Sequence, residues 1–105
     1  MVDSIVPASV LNRGIGQPPA TTTVTDVNTE IIPANSDRTS AIVTNVGKHD
    51  VWAACDADAI FGEGILLTRN GGSMVIDSTT FTEGPITGIC AAGKSSDVTY
   101  HELEK

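Results

Sequence analysis

Few side chains in this sequence are reactive, and their spacing builds no catalytic constellation. His49 and Asp50 are neighbours in GKHD, and His101 lies far downstream in VTYHEL. Cys55 and Cys90 stand in apolar surroundings, VWAAC and ITGICAA. Cysteine–histidine catalysis needs a thiolate in an electropositive setting, with a base in hydrogen-bond reach. Neither cysteine has basic residues beside it. They also lack the CxxC spacing of zinc ligands. Both are expected to be reduced, non-catalytic and packed as small apolar side chains. No secretory signal accompanies them to favour a disulfide.

The densest acidic group is Asp56, Asp58 and Glu63 in CDADAIFGEG. Alternating acids in a loop can give calcium its oxygen ligands. This spacing, D-x-D-x4-E, departs from the EF-hand pattern and lacks a third early ligand. The three are read as solvated loop acids, with a bound cation as the alternative. The stretches FGEG, RNGGS and GKSS contain glycine without forming a phosphate-binding loop. The first two lack a following Gly-Lys-Ser/Thr; GKSS lacks the upstream glycine and precedes a strand rather than a helix. The sequence therefore assigns no catalytic residue, no metal and no cofactor, and an enzyme is not expected.

Composition narrows the partners. The chain has 105 residues and a net charge of -7, from 13 acidic and 6 basic residues. Nucleic-acid binding relies on basic patches that displace phosphate counterions, and none is present. No apolar run approaches the roughly 20 residues that span a membrane. The start, MVDSIVPASVLNRG, has no basic segment followed by a sustained apolar one, so synthesis in a cytoplasm is expected.

The elements that would position any site are strands. From residue 31 the pattern is strand, turn, strand, through IIPAN, TSAIVTNV, VWAAC, ILL, MVID, ITGICAA and DVTYHEL. GKHD, the Asn70-Gly71 pair and GKSS supply turns. TSAIVTNV and VWAAC read as a hairpin. The fold class is all-β, a small antiparallel sandwich or barrel, jelly-roll-like. Ile42, Val51, Trp52, Ile65, Leu67, Val75, Ile86, Ile89, Val98 and Tyr100 are the expected core. Strand alternation separates Val51 from Trp52, which leaves Trp52 either a core anchor or a contact residue.

Residues 1–30 read as an extended arm, and residues 31–105 as the domain. Pro7, Gly14, Gly16, Pro18 and Pro19 break helix and sheet alike. The apolar residues Ile5, Val6, Val10, Leu11 and Ile15 follow neither period. They and Trp52 are the candidate partner-binding residues. Within the arm, residues 21–28, TTTVTDVN, carry a strand signal, either an edge strand or the arm's first pairing with the domain.

The stretch from Asn35 to Glu104, about two-thirds of the chain, resembles the small β-sandwich decoration or cement proteins of tailed bacteriophage heads. The residues that carry the likeness are NSDRTSAIVTNVGKHDVWAAC, GEGILLTRNGGSMVID, GPITGICAAG and DVTYHELE. In that family an Arg-x-Ser strand leads through Thr-Asn and a glycine turn to a Val-aromatic strand. An NGI-like segment and a GGS turn follow; here the NGI position reads Glu63-Gly64-Ile65, and the aromatic is Trp52. The resemblance implies binding to the assembled major capsid protein lattice on the outer surface of the virion. It also implies symmetric clusters, with a homotrimer favoured. The same sandwich occurs in head fibres and tail parts, so a receptor- or glycan-binding module is the alternative.

Overall fold

A computed structural model describes residues 15–77 and 82–105. They form strands and no helix: β1 Ile15–Gly16, β2 Ala20–Val24, β3 Thr29–Ile32, β4 Arg38–Asn45, β5 Val51–Cys55, β6 Ile65–Leu67, β7 Ser73–Ile76, β8 Ile86–Ile89 and β9 Ser96–Glu104.

The pairings nest. β2 pairs with β9, β3 with β8, β4 with β7 and β5 with β6, all antiparallel. A chain paired this way is one long double ribbon with the β5–β6 connection at its tip. Two further pairings, β4 with β9 and β5 with β8, roll the ribbon upon itself. Two sheets result, β2-β9-β4-β7 and β3-β8-β5-β6, with β1 extending the β2 edge along β9. This is the jelly-roll form of the β-sandwich.

The roll corrects the expected hairpin. β4 and β5 do not pair; they belong to opposite sheets, and residues 46–50 carry the chain across. It also moves the domain boundary. β2 pairs with β9 over five positions, and Val24 is fully buried in the core. The domain therefore takes in residues that composition had placed in the arm.

Alternation sets what faces inward. Val51, Leu67, Ile86 and Val98 are buried as expected, joined by Val24, Ile31, Ile32, Ala41, Val43, Met74 and Ile76. Ile42, Ile65 and Val75 are exposed instead, while Ile89 is half-buried. In β4 the inward phase is Ala41, Val43 and Asn45, and Ile42 faces out opposite Val75. In β7 the inward pair is Met74 and Ile76. Tyr100 is half-buried against the core. Gly88 is a point of close approach, because a Cβ there would lie 2.9 Å from both Ile31 Cδ1 and Val51 Cγ1. Only glycine lets the β8 backbone come that near the opposing side chains.

Candidate functional site: the two ends of the sandwich

Each end of the sandwich is organised around one buried polar side chain. At one end Asn45 completes β4 and is fully buried. Its amide Nδ2 donates to the carbonyls of His49 (2.8 Å) and Leu67 (2.9 Å). Its Oδ1 accepts from the Gly47 N–H (3.0 Å) and from Ser96 Oγ (2.7 Å). Its backbone N–H donates to the Gly72 carbonyl, and its carbonyl accepts from the Gly71 N–H. One residue thus ties the 46–50 crossing, the 68–72 turn and the start of β9 together. Gly47 sits against Ser96, and a Cβ there would lie 2.6 Å from the Asp97 nitrogen.

At the other end Arg38 opens β4 and is 1% exposed. Nε donates to Glu102 Oε2 at 2.8 Å, in an ion pair. Nη1 donates to the carbonyls of Thr82 (2.9 Å) and Gly84 (2.8 Å), and Nη2 to that of Pro33 (2.8 Å). Its fork spans three chain segments with four of its five N–H donors engaged, so Arg38 is a structural pin rather than a ligand-binding group.

Of the candidate partner-binding residues, Ile15 and Trp52 are described. Ile5, Val6, Val10 and Leu11 lie outside the described residues. Ile15 is 65% exposed and pairs with Glu104, at the Arg38 end. Trp52 is half-buried on the outer face of the second sheet, close to the Asn45 end. Its cross-strand neighbours are Leu66 on β6 and Ile89 on β8, giving an apolar row across three strands. The two candidates therefore mark opposite ends of the molecule.

Beside Trp52 is an open depression of about 260 Å³, lined by His49, Asp50, Trp52, Phe61, Arg69, Ala91 and Lys94. Phe61 is 56% exposed. Asp50 Oδ1 accepts from the Arg69 N–H at 2.9 Å, fixing one wall to another. His49 Nδ1–H donates to the Ser95 carbonyl at 2.8 Å. A second depression of about 400 Å³, lined by residues that include Lys48, His49 and Asp97, adjoins it across His49. Phe61, Arg69 and Lys94 were not singled out by the sequence, because they come from separate loops. Asn45 had one legible signal, a polar residue in the inward phase of an apolar strand.

The remaining chemical groups are dispersed. Among the described residues no three His, Cys, Asp or Glu side chains are grouped to hold a metal ion. Asp58 accepts from Asn28 Nδ2 at 3.3 Å, and the Asp56 N–H donates to the Pro85 carbonyl. Both cysteines are free thiols. Cys90 is buried and directs Sγ at the Val24 carbonyl. Burial pushes the Cys90 thiol above its ordinary value, and the charges of Asp26 and Asp50 add to the rise. Burial also raises the Cys55 thiol, against the opposing pull of Arg38. These shifts run opposite to those of an activated nucleophile. Comparison with protein-family models, curated proteins and solved structures found no match.

Proposed function

We propose that this protein is a structural component of a phage virion that decorates the capsid by binding the assembled major capsid protein lattice. The observation that carries the reading is the polarity of the sandwich. The first described strand sets Ile15, exposed, beside Glu104, so the apolar sequence upstream joins the domain at that end. The opposite end is locked by Asn45. A domain with an apolar lead at one end and rigid loops at the other suits an anchored, outward-standing module. A jelly roll hosts capsid proteins, lectins and enzymes alike, so the fold alone does not choose between them. The resemblance of residues 35–104 to decoration proteins supports the choice.

In this reading the arm lies on the lattice, and burial of its apolar side chains contributes roughly 25 cal/mol per Å². Binding to assembled shells and not to loose subunits stabilises the assembled state by linkage. Copies meet as a symmetric oligomer, with a homotrimer favoured on resemblance. Net charge of -7 per copy opposes association in free solution, so the oligomer forms on the shell. Co-sedimentation with assembled shells and with free capsid subunits tests this. The full chain should pellet with shells only, and deletion of residues 2–14 should leave a folded domain that pellets poorly. Undiminished binding after that deletion would overturn the arm's role.

A further inference from the structure

We propose that the depression beside Trp52 binds a carboxylated saccharide, its ring against Trp52 and Phe61 and its carboxylate held by Arg69 and Lys94. This site is separate from the anchoring end. Register along β9, with Asn45 opposite Val98 and Ile15 opposite Glu104, puts the two roughly 20 Å apart at about 3.3 Å per residue.

Charge is the first ground. In a chain of net charge -7, the six basic residues are not spread evenly. Arg38 is buried in its ion pair, whereas Lys48, Arg69 and Lys94 all stand around the two adjoining depressions. Among the described residues no carboxylate pairs with Arg69 or Lys94, since the one ion pair is Arg38–Glu102. Two cations at a shallow recess attract an anion, and a guanidinium fork matches a carboxylate.

Shape and polarity then select a sugar. Two of the four aromatic side chains line this recess, giving ring surface for an apolar face. Asp50 has one oxygen engaged by the Arg69 N–H, which leaves the other to accept a hydroxyl. The same carboxylate repels a bare anion and favours a ligand with hydroxyls next to its negative charge. His49 has Nδ1 committed to the Ser95 carbonyl, so Nε2 is the nitrogen turned to a ligand hydroxyl. A volume of about 260 Å³ falls below the roughly 300 Å³ at which clefts for drug-sized ligands begin, and suits one ring of a chain. A nucleic-acid strand would need a basic track along its phosphates, which three cations at one end do not make. The Asn45 bonds hold the segments that carry His49 and Arg69 in place before binding, which lowers the ordering cost.

Trp52 is the sole tryptophan, so its fluorescence reports on this recess alone. Tetragalacturonate should give a saturable change, weakened by added salt. Its fully methyl-esterified form, which keeps the rings and removes the charge, should bind at least about tenfold more weakly. Arg69 and Lys94 are exposed, so the R69Q/K94Q double variant should melt like the parent and lose about tenfold in affinity. No saturable response to tetragalacturonate would overturn the proposal. So would equal binding of the ester, equal response to acetate, or unchanged affinity in the double variant. None of these readouts involves the capsid, so the result stands or falls independently of lattice binding.

Discussion

Replacing Arg38 by Met keeps much of the side chain's bulk and removes every donor. The carbonyls of Pro33, Thr82 and Gly84 then lose their partners. An unsatisfied buried acceptor costs about 1–3 kcal/mol. These carbonyls belong to part-buried bonds, so the lower bound applies, and three of them give about 3 kcal/mol. Glu102 is 14% exposed and keeps a weaker bond from Asn35 Nδ2. Its stranding therefore adds only about 1 kcal/mol, well short of the 3–5 for a fully buried pair. The total, about 4 kcal/mol, is a large part of the roughly 5–15 kcal/mol that holds a domain together. Equilibrium urea unfolding at unchanged m-value reads it directly, and the melting temperature should fall by on the order of 20 °C. R38K keeps the charge but presents three donors from one nitrogen, so it should lose about half as much. A loss below about 1 kcal/mol in R38M would refute the view that Arg38 pins this end.

Gly47→Ala drives a methyl into Ser96 and the Asp97 backbone and should cost roughly 2 kcal/mol, read by thermal melting. Val24→Ala should cost about 2 kcal/mol for two buried carbons, and Thr21→Ala, exposed on the same strand, under about 0.5; equal effects would return β2 to the arm. Burial raises both thiols above the ordinary 9.0, so the folded state binds more protons than the unfolded one as pH climbs past that value. Their contribution is complete below about pH 9 and is lost as pH rises through the raised values. Urea unfolding between pH 8 and 10.5, about the window of thiol titration, should show this decline, and the C55A/C90A variant should flatten it.

Much of the strand content was legible, because β-branched runs and glycine turns mark strands locally. VWAAC and ILL coincide with β5 and β6. Partnership was not legible. Alternation says which side chains share a face, and nothing in TSAIVTNV shows that its neighbours are β7 and β9 rather than the strand that follows. The phase of β4 was misjudged because Ile42 is the largest apolar residue in it, while the true inward set ends in Asn45. A polar inward residue counts against burial until its partners, His49, Leu67, Gly47 and Ser96, are known. The same holds for the Trp52 recess. Trp52 stood out as a possible contact, but Phe61, Arg69 and Lys94 meet it only after the ribbon has rolled.

The nesting of the strands also fixes an order of events. Thr99 donates to the carbonyl of Ala20 across 79 residues, and β9 lies between β2 and β4 in the first sheet. Until β9 has left the ribosome, that sheet lacks its central strand, and β2 and β4 expose unpaired edges. The pairings of β5 with β6, β4 with β7 and β8 with β3 and β5 need no residue of β9 and can form before it. Contacts this distant in sequence close slowly, on the ms–s scale typical of all-β domains. Loss of β9 would remove the centre of a sheet, leaving edges prone to pair with other chains.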